Sequence, residues 1–458
     1  MAAGTASSTE GTFVTVPGYR HSEVGRTLAE PVPQSLSVVD QFGLWGNLGV
    51  SLLGFTAAMF VLKPSGGTPE LSLAAGLTAI VVGTLIGTLP VALAAVQGAR
   101  TGAPAMVLLR GLFGARLSYL PTSINILQCV GWAIFELVTI STAADAIVTH
   151  VAPHTVPRWA FVVFGGLVTA LFTVHPLGAI RVLRRYATVA VLIVMGYLLV
   201  QLLRHPLPVF GHGTWSGFWL ATDTVVGAGI SWVPLAADYT RHSRSSGAAF
   251  AGAITGYSVT QVLCYVIGLF ALVTVAHGDL NQIWGAFIAL PVGALAFAVL
   301  AVRELDQSFA DVYSTAVSIQ NLRPLWDRRV LAGLITAAST AGALWLNISA
   351  YQNFLLLIGS VFVPMSAVLI VDFFVMSRGR WDMSAGARSR WLMLVPWALG
   401  FVTYQLVNPG SVGWWTSAWT SFAGWIHFSP QAWMSASILS FAVAGAATLA
   451  FGRLARTV

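Results

Sequence analysis

Long apolar runs, separated by short polar segments, make up most of the chain after residue 40. An α-helix needs about 20 predominantly apolar residues to cross the hydrocarbon core of a bilayer. Runs of that kind fall at 41–62, 72–97, 118–148, 158–176, 182–203, 217–237, 249–276, 291–320, 330–349, 352–375, 390–408 and 432–452. The pattern predicts an all-α polytopic membrane protein with about twelve transmembrane helices, which we number as spans 1 to 12.

The arginine residues indicate how these spans are oriented. Most of them lie in the N-terminal segment and in the loops after even-numbered spans, whereas the opposite loops contain Lys63, Arg158 and Arg204. Because cytoplasmic loops carry an excess of Lys and Arg, both termini are expected in the cytoplasm, and the protein in a bacterial inner membrane. Residues 1–40 lack the basic and apolar regions of a cleaved signal peptide, so we predict a cytoplasmic tail there.

Composition argues against several functional classes. Only 9% of the residues are charged and 56% are hydrophobic, and the net charge of +7 is spread over many loops, so no nucleic-acid partner is expected. The two cysteines lie in separate apolar runs, which predicts neither a disulfide framework nor a zinc site. The loops are too short for a catalytic domain, and no His-Glu-x-x-His, Gly-x-Ser-x-Gly or phosphate-binding motif occurs. We therefore expect neither an enzyme nor a bound cofactor.

Small residues interrupt two of the predicted spans at matching positions. Span 1 contains Gly43, Gly46, Gly49 and Gly54, and span 6 contains Gly227, Ala228, Gly229, Ser231 and Pro234. Interrupted helices at corresponding places in two halves indicate an inverted-repeat transporter, in which the broken ends bind substrate and cation. Close helix packing is the alternative explanation for each helix taken alone.

Span 8 is unusually polar for a membrane helix. Its polar residues recur at spacings of three and four and therefore share one face: Glu304, Gln307, Asp311, Ser314, Thr315 and Ser318. A charge at the bilayer centre costs about 2.5–3.5 kcal/mol, so this face must point to protein or water. The adjacent hydroxyls of Ser314 and Thr315 suit a hard cation, and an ion-pair network that only locks the helix is the alternative.

Span 3 carries an indole beside a carboxylate. Trp132 and Glu136 are four residues apart and lie on one helix face. The indole can stack on a flat polar heterocycle while the carboxylate accepts hydrogen bonds from its N–H edge. We predict a substrate site here, although a tryptophan can also serve only for packing and a glutamate as a proton relay.

Five short segments have the order and spacing of one transporter family. They are Leu44-Trp45-Gly46-Asn47, Arg110-Gly111-Leu112-Phe113-Gly114, Gly131-Trp132, Asp238-Tyr239-Thr240-Arg241 and Ser314-Thr315. Together they resemble the nucleobase:cation symporter-1 family, the purine, cytosine and hydantoin permeases, and most closely its purine-cytosine permease branch. The resemblance covers roughly residues 30–375.

The resemblance implies a fold and a site. The fold is of the LeuT type, with a ten-helix, five-plus-five inverted-repeat core at 41–375 and two additional helices with a short cytoplasmic tail at 376–458. The family's stacking tryptophan falls on Trp132, and its substrate-bonding side chains fall on Glu136, Gln320 and Ser51. For a sodium ion, the resemblance implies backbone carbonyls near Asn47 and Val50, a carbonyl at Asp311, and the hydroxyls of Ser314 and Thr315.

Two positions depart from the family pattern. A second stacking tryptophan known from hydantoin carriers falls on Gly229, with Trp232 one turn further as a substitute, and the amide expected in span 3 is the carboxylate of Glu136. A carboxylate pairs well with ring N–H and amino donors, as in guanine, or with protonated cytosine. It pairs poorly with the carbonyl-rich edge of hydantoin or uracil, so amino-bearing bases are favoured.

The sequence therefore predicts a symporter that imports a purine base or cytosine. Sodium or a proton is the coupling ion. Ser314 and Thr315 favour sodium, whereas the Asp311 carboxylate could bind sodium directly or carry a proton itself. Uptake of allantoin or a hydantoin, or of a pyrimidine precursor of thiamine, is the alternative within the same fold. A sensor that does not transport, or an intramembrane enzyme, is more remote. Apart from lipid and the nucleobase, no partner is expected.

Overall fold

The computed structural model describes residues 15–16, 32–64, 71–152, 156–174, 188–277, 282–346 and 351–454. Within them the protein is almost entirely helical, apart from the two-residue strands Thr15–Val16 and Val32–Pro33, which pair in parallel. Most of the predicted tail at 1–40 and the first residues of predicted span 5 lie outside the described residues.

Each of the twelve predicted spans coincides with one helix or with two consecutive helices. In chain order they are Val38–Leu48 with Leu52–Leu62, Leu73–Thr101, Tyr119–Val151, Arg158–Val174, Thr188–Leu202, Phe218–Ile230 with Val233–Thr240, Ser246–Thr274, Gly293–Arg303 with Leu305–Leu322, Arg328–Trp345, Tyr351–Ile370 with the π-helical Val371–Met376, Leu394–Val407, and Ala436–Leu454. Among the described residues, five helices are long and apolar enough to cross a bilayer, or six if the bent pair of span 1 counts as one. Four more are apolar but shorter. The predicted all-α membrane fold is confirmed, and the chain is a multi-pass membrane protein.

In the part of the chain that the structure describes, three short α-helices were not predicted. They are Ala105–Phe113, Ile283–Ile288 and Gly413–Trp425, with 9, 6 and 13 residues. A search for apolar runs of about 20 residues does not detect helices of this length. Helix Gly413–Trp425 exposes Trp414 and Trp425, as is typical of helices at the membrane–water interface.

Both predicted interruptions are present, as a sharp bend in span 1 and as a two-residue break without a bend of more than 40° in span 6. In span 1 the two helices meet at an angle of 60°, with Gly49, Val50 and Ser51 between them. A β-carbon on Gly49 would lie 2.7 Å from the backbone oxygen of Tyr257 in span 7, so only glycine permits this approach. In span 6 the break falls at Ser231 and Trp232, and Pro234 stands in the first turn of the second helix, where it costs no hydrogen bond.

The two C-terminal spans pack on the core through specific polar contacts. The Trp397 indole donates to the backbone oxygen of Val361 in span 10 at 2.9 Å. Asp223 of span 6 caps the start of span 12: it accepts from the Ser435 hydroxyl at 2.5 Å and from the backbone N–H groups of Ala436 and Ser437 at 2.7 and 3.2 Å. A helix start that is buried in the protein leaves N–H groups without water as a partner, and this carboxylate satisfies two of them.

We predict that Asp223→Asn destabilises the protein by about 1–3 kcal/mol, because the amide loses the negative charge and one of the acceptor oxygens. The measurement is denaturant-induced unfolding of the purified protein. Asp382→Asn is the matched control, since Asp382 is exposed and bonds only its own loop at Ser384 N among the described residues. Equal stability of the two variants would contradict the capping role.

Candidate functional site

Side chains of span 8 pair the backbone groups that the break in span 1 exposes. The Gln307 amide donates to the carbonyl oxygens of Leu48 and Val50, both at 2.7 Å. The Arg303 guanidinium donates to the same Val50 oxygen. On the other side of the break, both Glu304 oxygens accept from the Leu52 N–H at 3.0 Å, and one accepts from the Ser51 hydroxyl at 2.7 Å. The end of one half-helix thus meets cationic and amide donors, and the start of the other meets a carboxylate, as the helix dipoles favour.

A cavity lies beside this break, between spans 1, 3, 6, 7, 8 and 10. Its lining includes Leu48, Gly49, Ser51, Gly54, Trp132, Glu136, Ala228, Ser231, Trp232, Leu235, Tyr257, Gln261, Tyr265, Gln307, Asp311 and Tyr351. Its volume of about 50 Å³ holds a few water molecules, since one water needs roughly 10–15 Å³. Binding of a ring-sized ligand therefore requires that the walls move apart.

Aromatic rings form much of the cavity wall. Trp132 lies edge-on to Phe354 and Tyr351, with ring centroids 5.3 and 5.8 Å apart. On another side, Trp232 lies edge-on to Trp45 and Tyr257, each with centroids 6.2 Å apart. Such a wall offers flat apolar faces to a planar ligand.

Four polar atoms in the cavity-lining residues have no hydrogen-bond partner among the described residues. Span 3 contributes Trp132 Nε1 and Glu136 Oε2, and span 7 contributes Gln261 Oε1 and Tyr265 OH. Buried polar groups are nearly always paired, so unpaired ones in a cavity wall call for a ligand or water. The set combines donors and acceptors, which suits a ligand that carries both.

Four of the six residues predicted to contact the substrate line the cavity, and Gly229 and Gln320 do not. Ser51, Trp132, Glu136 and Trp232 line the cavity, as does Asp311. Gly229 does not line it: a β-carbon there would lie 3.2 Å from the backbone of Gly87, so this glycine serves the packing of span 6 on span 2.

Gln320 also lies away from the cavity. Its amide donates to the backbone oxygen of Trp326 at 2.8 Å, in the segment after span 8. Gln320 is thirteen residues beyond Gln307, which places it roughly 20 Å further along the helix at 1.5 Å per residue. The resemblance placed a substrate-bonding amide of span 8 at Gln320, but Gln320 is too far from the cavity to contact a ligand there.

The groups expected to hold sodium do not converge either. The Asn47 carbonyl accepts from Val50 N at 3.1 Å, and the Val50 carbonyl is taken by Gln307 and Arg303. The Ser314 hydroxyl donates to the Tyr239 hydroxyl at 3.3 Å, and the Thr315 hydroxyl to the Asp311 carbonyl of its own helix at 2.7 Å. Each predicted ligand thus has another partner, and the two hydroxyls lie at a different level from the break.

Sequence analysis missed the contribution of span 7. Tyr257, Gln261 and Tyr265 are spaced by four residues and therefore share one face, which lines the cavity. A polar glutamine between two tyrosines in an otherwise apolar run is a signal that could have identified this face.

His242, which follows span 6 outside the membrane segment, has surroundings that disfavour its protonated form. It is buried, its Nδ1 lies 3.1 Å from the Pro33 oxygen, and the Arg241 guanidinium donates to its Nε2. Burial and the neighbouring Arg241 charge lower the pKa of His242 to about 3. It is therefore neutral at physiological pH.

Comparison with known proteins identifies relatives of this chain. The model of a family described as permeases for cytosine/purines, uracil, thiamine and allantoin matches residues 54–390. A purine-cytosine permease of Saccharomyces cerevisiae is 26% identical over 302 residues, which are 60% of this chain and 55% of the yeast protein. The cytosine permease of Escherichia coli K12 is 25% identical over 389 residues, 81% of this chain and 86% of that permease. The chain thus spans less than two thirds of the length of the yeast relative.

Solved structures share the fold. Mhp1, a nucleobase-cation-symport-1 family transporter in a closed conformation with bromovinylhydantoin bound, has a TM-score of 0.73 at 17% identity, covering 93% of this chain and 95% of that one. A Na⁺-coupled sialic acid symporter has a TM-score of 0.60 at 11% identity, covering 92% and 90%. The predicted LeuT-type architecture is confirmed.

Proposed function

We propose, from the premise that the chain belongs to the family of permeases for cytosine/purines, uracil, thiamine and allantoin, that it is a secondary active transporter that imports a purine base or cytosine. Its relatives include a purine-cytosine permease of yeast and the cytosine permease of Escherichia coli. Transport proceeds by alternating access, in which the broken spans 1 and 6 open the cavity to one side at a time.

The observation that carries this proposal is the unpaired polar set in an aromatic cavity. Trp132 Nε1 and Tyr265 OH are donors, and Glu136 Oε2 and Gln261 Oε1 are acceptors. A nucleobase presents donors and acceptors around the edge of a flat ring and stacks on aromatic faces. The cavity therefore matches the chemistry of a base better than that of a flexible or aliphatic solute.

Glu136 directs the choice among bases. Its unpaired carboxyl oxygen favours a ligand edge with ring N–H and amino donors, as in guanine or in protonated cytosine. Hydantoins and allantoin present carbonyl-rich edges, which makes them the second choice. A thiamine-precursor pyrimidine also carries an amino group and is the third.

Further features of the proposal concern membrane placement and site residues. The arginine distribution supports a bacterial inner membrane with both termini in the cytoplasm. We place the transport core at 41–375 and the two additional helices at 376–458. Ser51, Trp132, Glu136 and Trp232 are the proposed substrate contacts, and Gly229 and Gln320 are not among them. A cation gradient drives uptake.

The test of this function is a ligand panel on the purified protein, followed by uptake into proteoliposomes. Guanine, hypoxanthine, adenine, cytosine, uracil, allantoin and benzylhydantoin are compared by thermal stabilisation, because a ligand at 100 times its Kd stabilises by about 2.7 kcal/mol. We expect stabilisation by an amino-bearing base and its accumulation against a gradient. Stabilisation by hydantoins alone would overturn the substrate choice, and binding without accumulation would indicate a sensor.

We predict that Trp132→Ala weakens base binding by about 1–3 kcal/mol, the range measured for base–aromatic stacking. The measurement is the Kd of the best base from the panel. Trp132→Phe keeps a ring and is expected to retain part of the affinity. Trp345→Ala is the matched control, since Trp345 is 89% exposed on span 9. Unchanged affinity in Trp132→Ala would remove this residue from the site.

We predict that Glu136→Gln changes selectivity rather than folding. The amide offers a donor as well as an acceptor, so affinity for uracil and hydantoins is expected to rise relative to guanine or cytosine. Folding is expected to be retained because the glutamine amide has nearly the same size and shape as the carboxyl group that it replaces. The measurement is the ratio of Kd values across the panel, with ligand-free melting temperature as the control. An unchanged ratio would show that Glu136 does not contact the base.

A further inference from the structure

The family resemblance implies a sodium ion at the break in span 1. Any helix that is broken inside a membrane offers a physical reason for such a site. A half-helix that ends inside the membrane leaves carbonyl oxygens at the negative end of its dipole, and these attract a cation. Here the relevant oxygens are those of Leu48 and Val50, at the end of helix Val38–Leu48. Whether an ion fits depends on what already occupies those oxygens.

The chain supplies its own donors to both of them. Gln307 bonds both oxygens at 2.7 Å, and the Arg303 guanidinium bonds that of Val50. Arg303 is only 4% exposed and its guanidinium cannot lose its proton in a protein, so the positive charge is permanent. A bound sodium ion would have to displace both side chains from the oxygens it needs.

A second cation at the Val50 oxygen would lie next to the Arg303 guanidinium. Glu304 forms an ion pair with Arg303 at 3.6 Å, and its oxygens also accept hydrogen bonds from Leu52 N and Ser51 Oγ. The Arg303 guanidinium therefore places a permanent positive charge directly against the Val50 oxygen. A free cation beside it would meet repulsion in a region of low dielectric constant.

The hydroxyls expected to complete a sodium site lie elsewhere. Ser314 is bonded to Tyr239, and Thr315 to its own helix. Both are seven or more residues beyond Gln307, which is about 10 Å or more along the helix axis. The residues present therefore do not fit a sodium ion at the break.

We infer that Arg303, held with Gln307 against the span 1 carbonyls, is a built-in cation that replaces a bound sodium ion, so that substrate binding and uptake do not require sodium. The part of this inference that concerns uptake rests on the proposed transport function. Arg303 acts as a positioning residue: it fixes the two halves of span 1 relative to span 8 and does not touch the substrate.

The first experiment needs no substrate. The melting temperature of the purified full-length protein is compared in NaCl and in choline chloride at equal concentration, so that ionic strength is constant. We expect no difference for the natural chain. A higher melting temperature in NaCl, saturating with concentration, would overturn the inference, because it would reveal a sodium site.

Two variants test the role of the charge. Arg303→Lys keeps the cation and is expected to remain insensitive to sodium. Arg303→Met keeps the length of the side chain but removes the positive charge, which leaves Gln307 as the described side-chain donor to the Val50 carbonyl, so its melting temperature is expected to rise when sodium replaces choline. A folded Arg303→Met variant that ignores sodium would contradict the built-in cation. If Arg303→Met does not fold, the natural chain and Arg303→Lys decide the question by the same comparison.

Binding and uptake provide the second readout. The Kd of the best base and its initial uptake rate are measured in NaCl and in choline chloride. Equal values support the inference, and loss of binding in choline overturns it. If no compound of the panel binds, the proposed function fails, whereas the substrate-free melting comparison still tests the built-in cation. The two failures are thus distinguishable.

Discussion

The structure depends on one constraint: backbone polar groups exposed by a broken helix inside the membrane must find partners within the protein. Each unpaired group costs several kcal/mol where water is absent. Span 1 breaks at Gly49–Ser51, and span 8 supplies Gln307 and Arg303 to one end and Glu304 to the other. Span 8 is polar at this level because its side chains pair the backbone groups that the break exposes. Without these partners the break would not be stable. The cavity lies beside the break as a consequence.

Close approach of helices at glycine residues fixes the positions of the spans around the break. Gly49 approaches span 7 at Tyr257, and Gly229 approaches Gly87 of span 2. Helices in lipid gain little from the hydrophobic effect between them, so contact distance and internal hydrogen bonds decide how they associate. The glycines of spans 1 and 6 therefore serve two purposes that the sequence does not separate. Gly49 stands at the break and lines the cavity, whereas Gly229 serves helix packing alone.

The sequence predicted the spans, the two breaks and the shared face of Trp132 and Glu136, because hydropathy and helical periodicity are local properties. It did not predict which turn of span 8 meets the break. Glu304, Gln307, Asp311 and Ser314 lie on one face, and periodicity treats successive turns of a face as equivalent. Only the docking of span 8 on span 1 decides that Gln307, and not Ser314, reaches the Val50 carbonyl. The same reasoning explains why Gln320 lies away from the cavity and why the role of Tyr257, Gln261 and Tyr265 was not foreseen.

The polar groups around the cavity fall into two sets with different physical roles. Those of spans 1 and 8 are paired with one another and hold the break, so changing them perturbs the fold as well as the site. Those of spans 3 and 7, represented by Glu136 and Gln261, have acceptor atoms that no described residue satisfies. A ligand gains most from groups whose partners are missing, since it then replaces no existing hydrogen bond. On the proposed function, spans 3 and 7 are therefore the place for substrate selectivity, and the unpaired Glu136 carboxyl oxygen is the acceptor that would favour an amino-bearing edge over a carbonyl-rich one.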